Sequence, residues 1–203
     1  MTPTVATELE VANMALDMLK EAPITSLEQG TSPARWMQRN FKTARNMVMT
    51  THIWKFAMKR ATLAEDPTPP EFEWERQYRK PDDCFRVLPL RVGGALNGRL
   101  IPHQVEGDFI LTNAGSPLYI RYLSVVEDPT LWPPLFVEAV ACKLAARAAH
   151  FITGKQSMQE LAEAKFKEAM TLAASIDSSE GTHAAQYATM YDDARYYNSL
   201  GDY

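Results

Sequence analysis

The stretch from Pro133 to Ile176 most constrains what this chain can fold into, because it encodes two long amphipathic helices with one break between them. Pro134 suits a first helical position, where the missing N–H is an orphan donor anyway. After it, Val137, Val140 with Ala141, Leu144, Ala148, and Phe151 with Ile152 recur at helical spacing, and Gly154 supplies the stop. Ser157 and Glu160 have the spacing of a capping box for the second helix. Ala162, Phe166, Ala169, Ala173 and Ile176 then alternate steps of four and three. A short polar connection between two such helices predicts an antiparallel pair. The alanines at 139, 141, 145, 146, 148 and 149 let helix backbones approach closely. This pattern is a scaffold and carries no reactive chemistry.

Around that frame, 203 residues suit one domain, or a domain with an insertion, and suffice to bury a full core. No run approaches the ~18 apolar residues of a membrane span, so no membrane partner is expected. Met1 to Glu10 has neither a basic region nor an apolar core, and no signal peptide is expected there. Cys84 and Cys142 fall in different predicted elements, which excludes a disulfide framework and fits synthesis in a reducing cytoplasm.

Upstream, Val5, Leu9, Ala12, Leu16 and Leu19 predict a helix from about Thr4 to Lys20, ended by Pro23. Ser32 and Pro33 form a cap and first-turn pair for a second helix, whose buried stripe is Met37, Phe41, Ala44 and Val48. Arg35, Arg39, Lys42 and Arg45 ride elsewhere on that cylinder, toward solvent or a partner. The period then changes. Trp54, Phe56 and Met58 alternate with polar or small residues, as do Phe72, Trp74, Arg76 and Tyr78 with Glu71, Glu73, Glu75 and Gln77. Further strands are expected over Phe85–Val92 and Leu118–Val126, with a hairpin around Glu106-Gly107-Asp108. The expected fold is therefore α+β. A four-helix bundle (1–52 and 131–176) carries an inserted, mostly antiparallel β-subdomain (53–130) and a C-terminal arm (177–203).

The charge is unevenly spread, which bears on partners rather than fold. From Arg35 to Arg60 there are seven basic residues and no acid, while Asp177 to Tyr203 holds five acids against Arg195 alone. The same tail carries Tyr187, Tyr191, Tyr196, Tyr197 and Tyr203. Tyrosine brings large contact area at low side-chain entropy cost, so these five and Arg195 are candidate partner contacts. A C-terminal helix docking on its own bundle is the competing explanation. The basic run fits a solvated helix face, a charge-complementary subunit contact, or a surface facing passing DNA.

Enzymatic signals are absent. His52, His103, His150 and His183 are scattered without ligand spacing, so no metal and no cofactor is expected. No nucleophile elbow, Walker A or dinucleotide motif occurs, and Gly93, Gly94 and Gly98 are most simply turn residues. Glu71, Glu73 and Glu75 share one predicted strand face, which fits a solvated edge better than a hydrolase's opposed carboxylates.

Several local sequences occur in an order that resembles the tail tubular protein A family, the head-to-tail adaptors of short-tailed bacteriophages. They are Ala12-Asn13-Met14-Ala15-Leu16 with Pro23-Ile24-Thr25-Ser26-Leu27, then Trp54-Lys55-Phe56-Ala57 and Arg60-Ala61-Thr62-Leu63. Tyr78 with Pro81-Asp82-Asp83-Cys84-Phe85-Arg86-Val87 follows, then Phe136-Val137-Glu138-Ala139, Leu144-Ala145-Ala146-Arg147 and Ile152-Thr153-Gly154. The resemblance spans roughly residues 9–176, and the tail beyond it matches no family pattern. It implies a non-enzymatic virion protein made in the host bacterial cytoplasm, forming a homo-oligomeric ring of twelve subunits in related assemblies. Such a ring sits between the portal protein and a tail nozzle of the tail tubular protein B type, near the tail fibres. Genomic DNA passes through it without being read. Arg35, Arg39, Lys42, Arg45 and Lys59 are then candidates for subunit contacts or the lumen. A virion-borne wall- or capsule-degrading hydrolase and a non-specific nucleic-acid-binding module are the alternatives.

Overall fold

In α3 (Pro134–Thr153), Phe136, Val137, Ala139, Val140, Ala141, Cys142, Leu144, Ala145, Ala146, Ala148 and Ala149 are all buried. That is too many for a one-sided amphipathic stripe, so this helix must be covered from several directions. The structure, a computed structural model, describes residues 6–179 and shows how. Helices α1 (Glu8–Met18), α2 (Ser32–Thr51) and α4 (Gln156–Ser179) each pack on α3, whereas α1 and α2 touch only slightly. As expected, Pro134 is the first helical residue and Gly154 closes the helix in the left-handed conformation (φ 66°).

The described residues fall into two compact units. One comprises the chain up to Phe56 and from Val126 onward; the other is Ala57–Val125. The helical unit has an aromatic centre. Phe136 lies with its ring centroid 4.9 Å from Trp54, 5.0 Å from Phe56 and 5.1 Å from Trp132, and Trp132 stacks on Phe41 at 6.2 Å. Both indoles are satisfied: Trp54 Nε1 donates to Val48 O (3.1 Å) and Trp132 Nε1 to Val126 O (2.9 Å).

Three helix starts differ from expectation. Thr7 and Glu10 form a reciprocal capping box, so α1 begins at Glu8. The N-cap of α2 is Thr31, with Ser32 and Pro33 already inside the helix. Ser157 is likewise inside α4, and Glu160 accepts a hydrogen bond from Gln156 Nε2 instead of closing a capping box. On α4, Ala162, Ala169 and Ala173 are buried, but Phe166 is only half-buried, with the Lys143 ammonium 4.7 Å from its ring centroid. Ile176 is 45 % exposed, and Asp177 takes the buried position one step on. The helix therefore continues past the expected start of an arm at residue 177, to Ser179.

The other unit has two three-stranded sheets in which every paired neighbour is antiparallel. One is β1 (Met58–Leu63), β6 (Leu118–Ser124) and β3 (Cys84–Val87), with β6 central. The second is β2 (Arg76–Arg79), β5 (Phe109–Thr112) and β4 (His103–Glu106), with β5 central. Gly107 (φ 51°) and Asp108 make the tight turn joining β4 to β5, where Glu106 pairs with Phe109. Tyr78, Leu90, Ile110, Leu118, Ile120 and Tyr122 form the core of this unit.

Three expected strands are shorter than their patterns. Lys55–Ala57 is a 3-10 turn and β1 starts only at Met58, because Trp54 and Phe56 both turn into the cluster around Phe136. Residues 71–75 are irregular: Phe72 is 80 % exposed and Glu73 has φ 70°. β3 stops before Pro89, as a residue without an N–H to donate requires.

Candidate interaction surface

On α2, Arg35, Arg39 and Lys42 are exposed and spaced four and three apart, which puts them on one ridge about 10 Å long. Arg45 departs from this ridge. It is 2 % exposed, with Nη2 3.1 Å from Glu127 Oε1 and Nε donating to Asn46 Oδ1 at 3.1 Å. Its Nη1 is buried without a hydrogen-bond partner among the described residues. The expectation that Arg45 faces solvent or a partner is corrected: one turn beyond Phe41 the helix sinks this side of its cylinder into the core. Lys59, on β1, is half-exposed and bonds to Asp83 Oδ2 at 2.6 Å.

Asp83 is a junction. Its other oxygen accepts from the Tyr122 hydroxyl at 3.0 Å, and its carbonyl accepts from the Val125 N–H. The Lys59 bond holds the Asp83 carboxyl below its usual pKa. Burial, and then the bond to Asp83, push the Tyr122 phenol up to about 12.

Asp177 does the same work at the end of α4. Its Oδ2 lies 2.8 Å from His52 Nε2, and its Oδ1 accepts from the Lys55 N–H at 3.0 Å. Lys55 Nζ in turn donates to Ser178 O at 3.0 Å. Of the acids after Ile176, Asp177 falls among the described residues, and it meets the basic run within the chain at the Lys55 N–H. Sequence pattern gave no warning, because a single buried acid at a stripe position is indistinguishable from a solvated one.

Tyr187, Tyr191, Arg195, Tyr196, Tyr197 and Tyr203 lie outside the described residues. Glu71, Glu73 and Glu75 do not share a strand face, since only Arg76–Arg79 forms the strand, and Glu75 pairs with Arg76 Nη1 at 2.9 Å. Among the described residues, no three His, Cys, Asp or Glu side chains could together hold a metal ion, and no helix is long and apolar enough to cross a membrane.

The β-unit also has two adjoining concavities that sequence reading missed. One, of about 320 Å³, is lined by Arg60, Arg91 and Arg121; the other, of about 450 Å³, by Trp74 and Arg99. Arg91, Gly93 and Tyr119 line both. Gly93 and Gly94 carry φ of 63° and 67°, so their expected role as turn residues holds.

No protein-family model matches the chain, and no curated protein matches it either.

Proposed function

We propose that this chain is a structural subunit of a short-tailed bacteriophage virion, of the head-to-tail adaptor type, and acts without catalysis. Copies of it close into a ring below the portal and above the tail nozzle, and genomic DNA passes through the lumen unread. The four helices constitute the adaptor's bundle, and the Arg35–Arg39–Lys42 ridge meets a neighbouring subunit or the lumen. The observation that carries this reading is the order of family-like local sequences along residues 9–176.

What supports it is the place those sequences occupy. Asn13 and Ile24 come from two of them, and the Asn13 side chain exchanges two hydrogen bonds with the Ile24 backbone, at 3.0 and 2.9 Å. Trp54 and Phe136 come from two others and pack edge to face. Asp83 belongs to a fifth and ties Lys59 to Tyr122. These local sequences therefore sit at structural joints within the chain.

Electron microscopy of the purified protein mixed with its portal tests the reading. Rings seated on portal particles are expected, forming less well as salt rises, because complementary charge guides encounter and register. Portal particles that stay bare at low salt would refute it. A chain truncated after Ser179 keeps the Asp177 contacts and should unfold normally; if the tail tyrosines bind the portal, it should no longer attach.

A further inference from the structure

The two concavities of the β-unit carry a charge arrangement that folding alone does not favour. Arg60 on β1 and Arg121 on β6 stand directly opposite each other in the ladder, a like-charge pair that destabilises a sheet. Neither forms an ion pair among the described residues. Arg91 joins them in the lining of the first concavity, anchored by one guanidinium nitrogen to Gly98 O at 2.9 Å. Arg99 lines the second. Among the described residues, no aspartate or glutamate lines either. Burial, and then the nearby Arg91 and Arg60, lower the pKa of the Arg121 guanidinium. An arginine does not shed its proton in a protein, so an anion bound between Arg60 and Arg121 would relieve their repulsion.

We propose that this double concavity binds a nucleotide, with its phosphate among Arg60, Arg91 and Arg121 and its base toward Tyr119 and Trp74. A dianionic phosphate matches several guanidiniums together, where one carboxylate would leave charge uncompensated. Tyr119 is 45 % exposed at the border of the two concavities and offers a stacking surface. Trp74 contributes an indole N–H that is buried without a hydrogen-bond partner among the described residues. The wall between is fixed. A Cβ added at Gly94 would come within 3.0 Å of Tyr119 Cβ, and the Arg91–Leu100 bridge with the Ile101 N–H to Leu90 O bond (2.9 Å) pins the loop. The combined volumes suit a mononucleotide, whose phosphate and ring need two compartments side by side. This inference does not depend on the adaptor reading.

Calorimetric titration of the full chain with inorganic phosphate, a nucleoside monophosphate, the corresponding nucleoside and a short DNA duplex tests it. The monophosphate should bind more tightly than inorganic phosphate, and the nucleoside least. Arg121→Gln should weaken the monophosphate by at least about tenfold, the worth of a charge-assisted hydrogen bond, without lowering the melting temperature. Arg60→Gln, at an exposed position, is the second variant should Arg121→Gln fold poorly. Absence of monophosphate binding at millimolar concentration would overturn the proposal, as would binding that both variants leave unchanged. Binding of the duplex without the monophosphate would also overturn it, leaving a backbone-phosphate surface in place of a nucleotide pocket.

Discussion

Asp177 Oδ2 lies 2.8 Å from His52 Nε2, joining the last turn of α4 to the residue that follows α2. Because Asp177 also caps the Lys55 N–H, Asp177→Ala leaves two partly buried polar groups without their partner. Truncating one side of such a contact costs about 1–3 kcal/mol. Urea unfolding should register that loss, whereas Ile176→Ala, next to it but 45 % exposed, should change stability by no more than about 0.5 kcal/mol. The reverse ranking would mean that the apolar neighbour, and not the acid, secures the helix end.

Asn13 is the second small clamp. Its amide donates to Ile24 O and accepts from Ile24 N, so the connection after α1 is held to the helix by one side chain. Each bond is worth about 0.5–1.5 kcal/mol, and Ile24 is nearly fully buried, so water does not replace them. Asn13→Ala should therefore lower stability by about 1–3 kcal/mol. Asn13→Asp, which keeps the acceptor but sets a carboxylate oxygen against Ile24 O, should lower it at least as much. Equal melting curves for all three proteins would refute the clamp.

The sequence made the helices legible because periodicity survives any neighbour: α3 starts and stops at Pro134 and Gly154, as read. The strand pattern was weaker evidence. Trp54, Phe56 and Met58 alternate, yet the two aromatic residues converge on Phe136, since a 3-10 turn bringing large side chains into one cluster mimics a half-buried strand. Of the candidate contact residues, Arg35, Arg39 and Lys42 are exposed as expected, but Arg45 is buried and its ion-pair partner, Glu127, lies 82 residues away. The arginine concavity was invisible for the same reason. Arg60 and Arg121 belong to distant segments, and only the β1–β6 register sets them side by side.

Phe136 should be the costliest single truncation in the helical unit. It is fully buried and touches the rings of Trp54, Phe56 and Trp132, so Phe136→Ala removes its own transfer energy and leaves a cavity among rigid rings. The expected loss is about 3–5 kcal/mol, a large share of a typical domain's ~5–15 kcal/mol. Phe72→Ala, at an 80 % exposed site, should fall within about 0.5 kcal/mol of wild type in the same assay.

The Asp83–Tyr122 contact sets opposite pH edges for the β-unit. Tyr122 is raised from 10.0 to about 12, so the folded state keeps a proton that the unfolded chain releases. Its stabilising effect is complete below pH 10 and is lost as pH rises toward 12. Asp83 runs the other way: its lowered pKa contributes stability above the unfolded carboxyl's pKa, and protonation removes it as pH falls through the folded value. Lys59 and Asp83 are both more than a third exposed, so the acid edge should be shallow, below about 1 kcal/mol. Tyr122→Phe should flatten the alkaline edge in urea midpoints measured across pH. An alkaline edge unchanged in Tyr122→Phe would assign it to other groups.

The two cysteines should report which unit opens first. Cys142, 2 % exposed within α3, has its thiol pushed up to about 11, chiefly by burial; half-buried Cys84, beside Asp83, is also raised by burial. The thiolate is the reactive species, so at about pH 8 both should react far more slowly than a free cysteine. Cys142 should label only when the helical unit opens, and its rate should track denaturant well below the unfolding midpoint. Cys84 needs only a local movement at the end of β3 and should label earlier, so the Cys84→Ala and Cys142→Ala variants should show the slow and fast phases separately. Rapid labelling of Cys142 in the native protein would mean that α3, on which α1, α2 and α4 pack, is not closed, and the helical unit would fail at its centre.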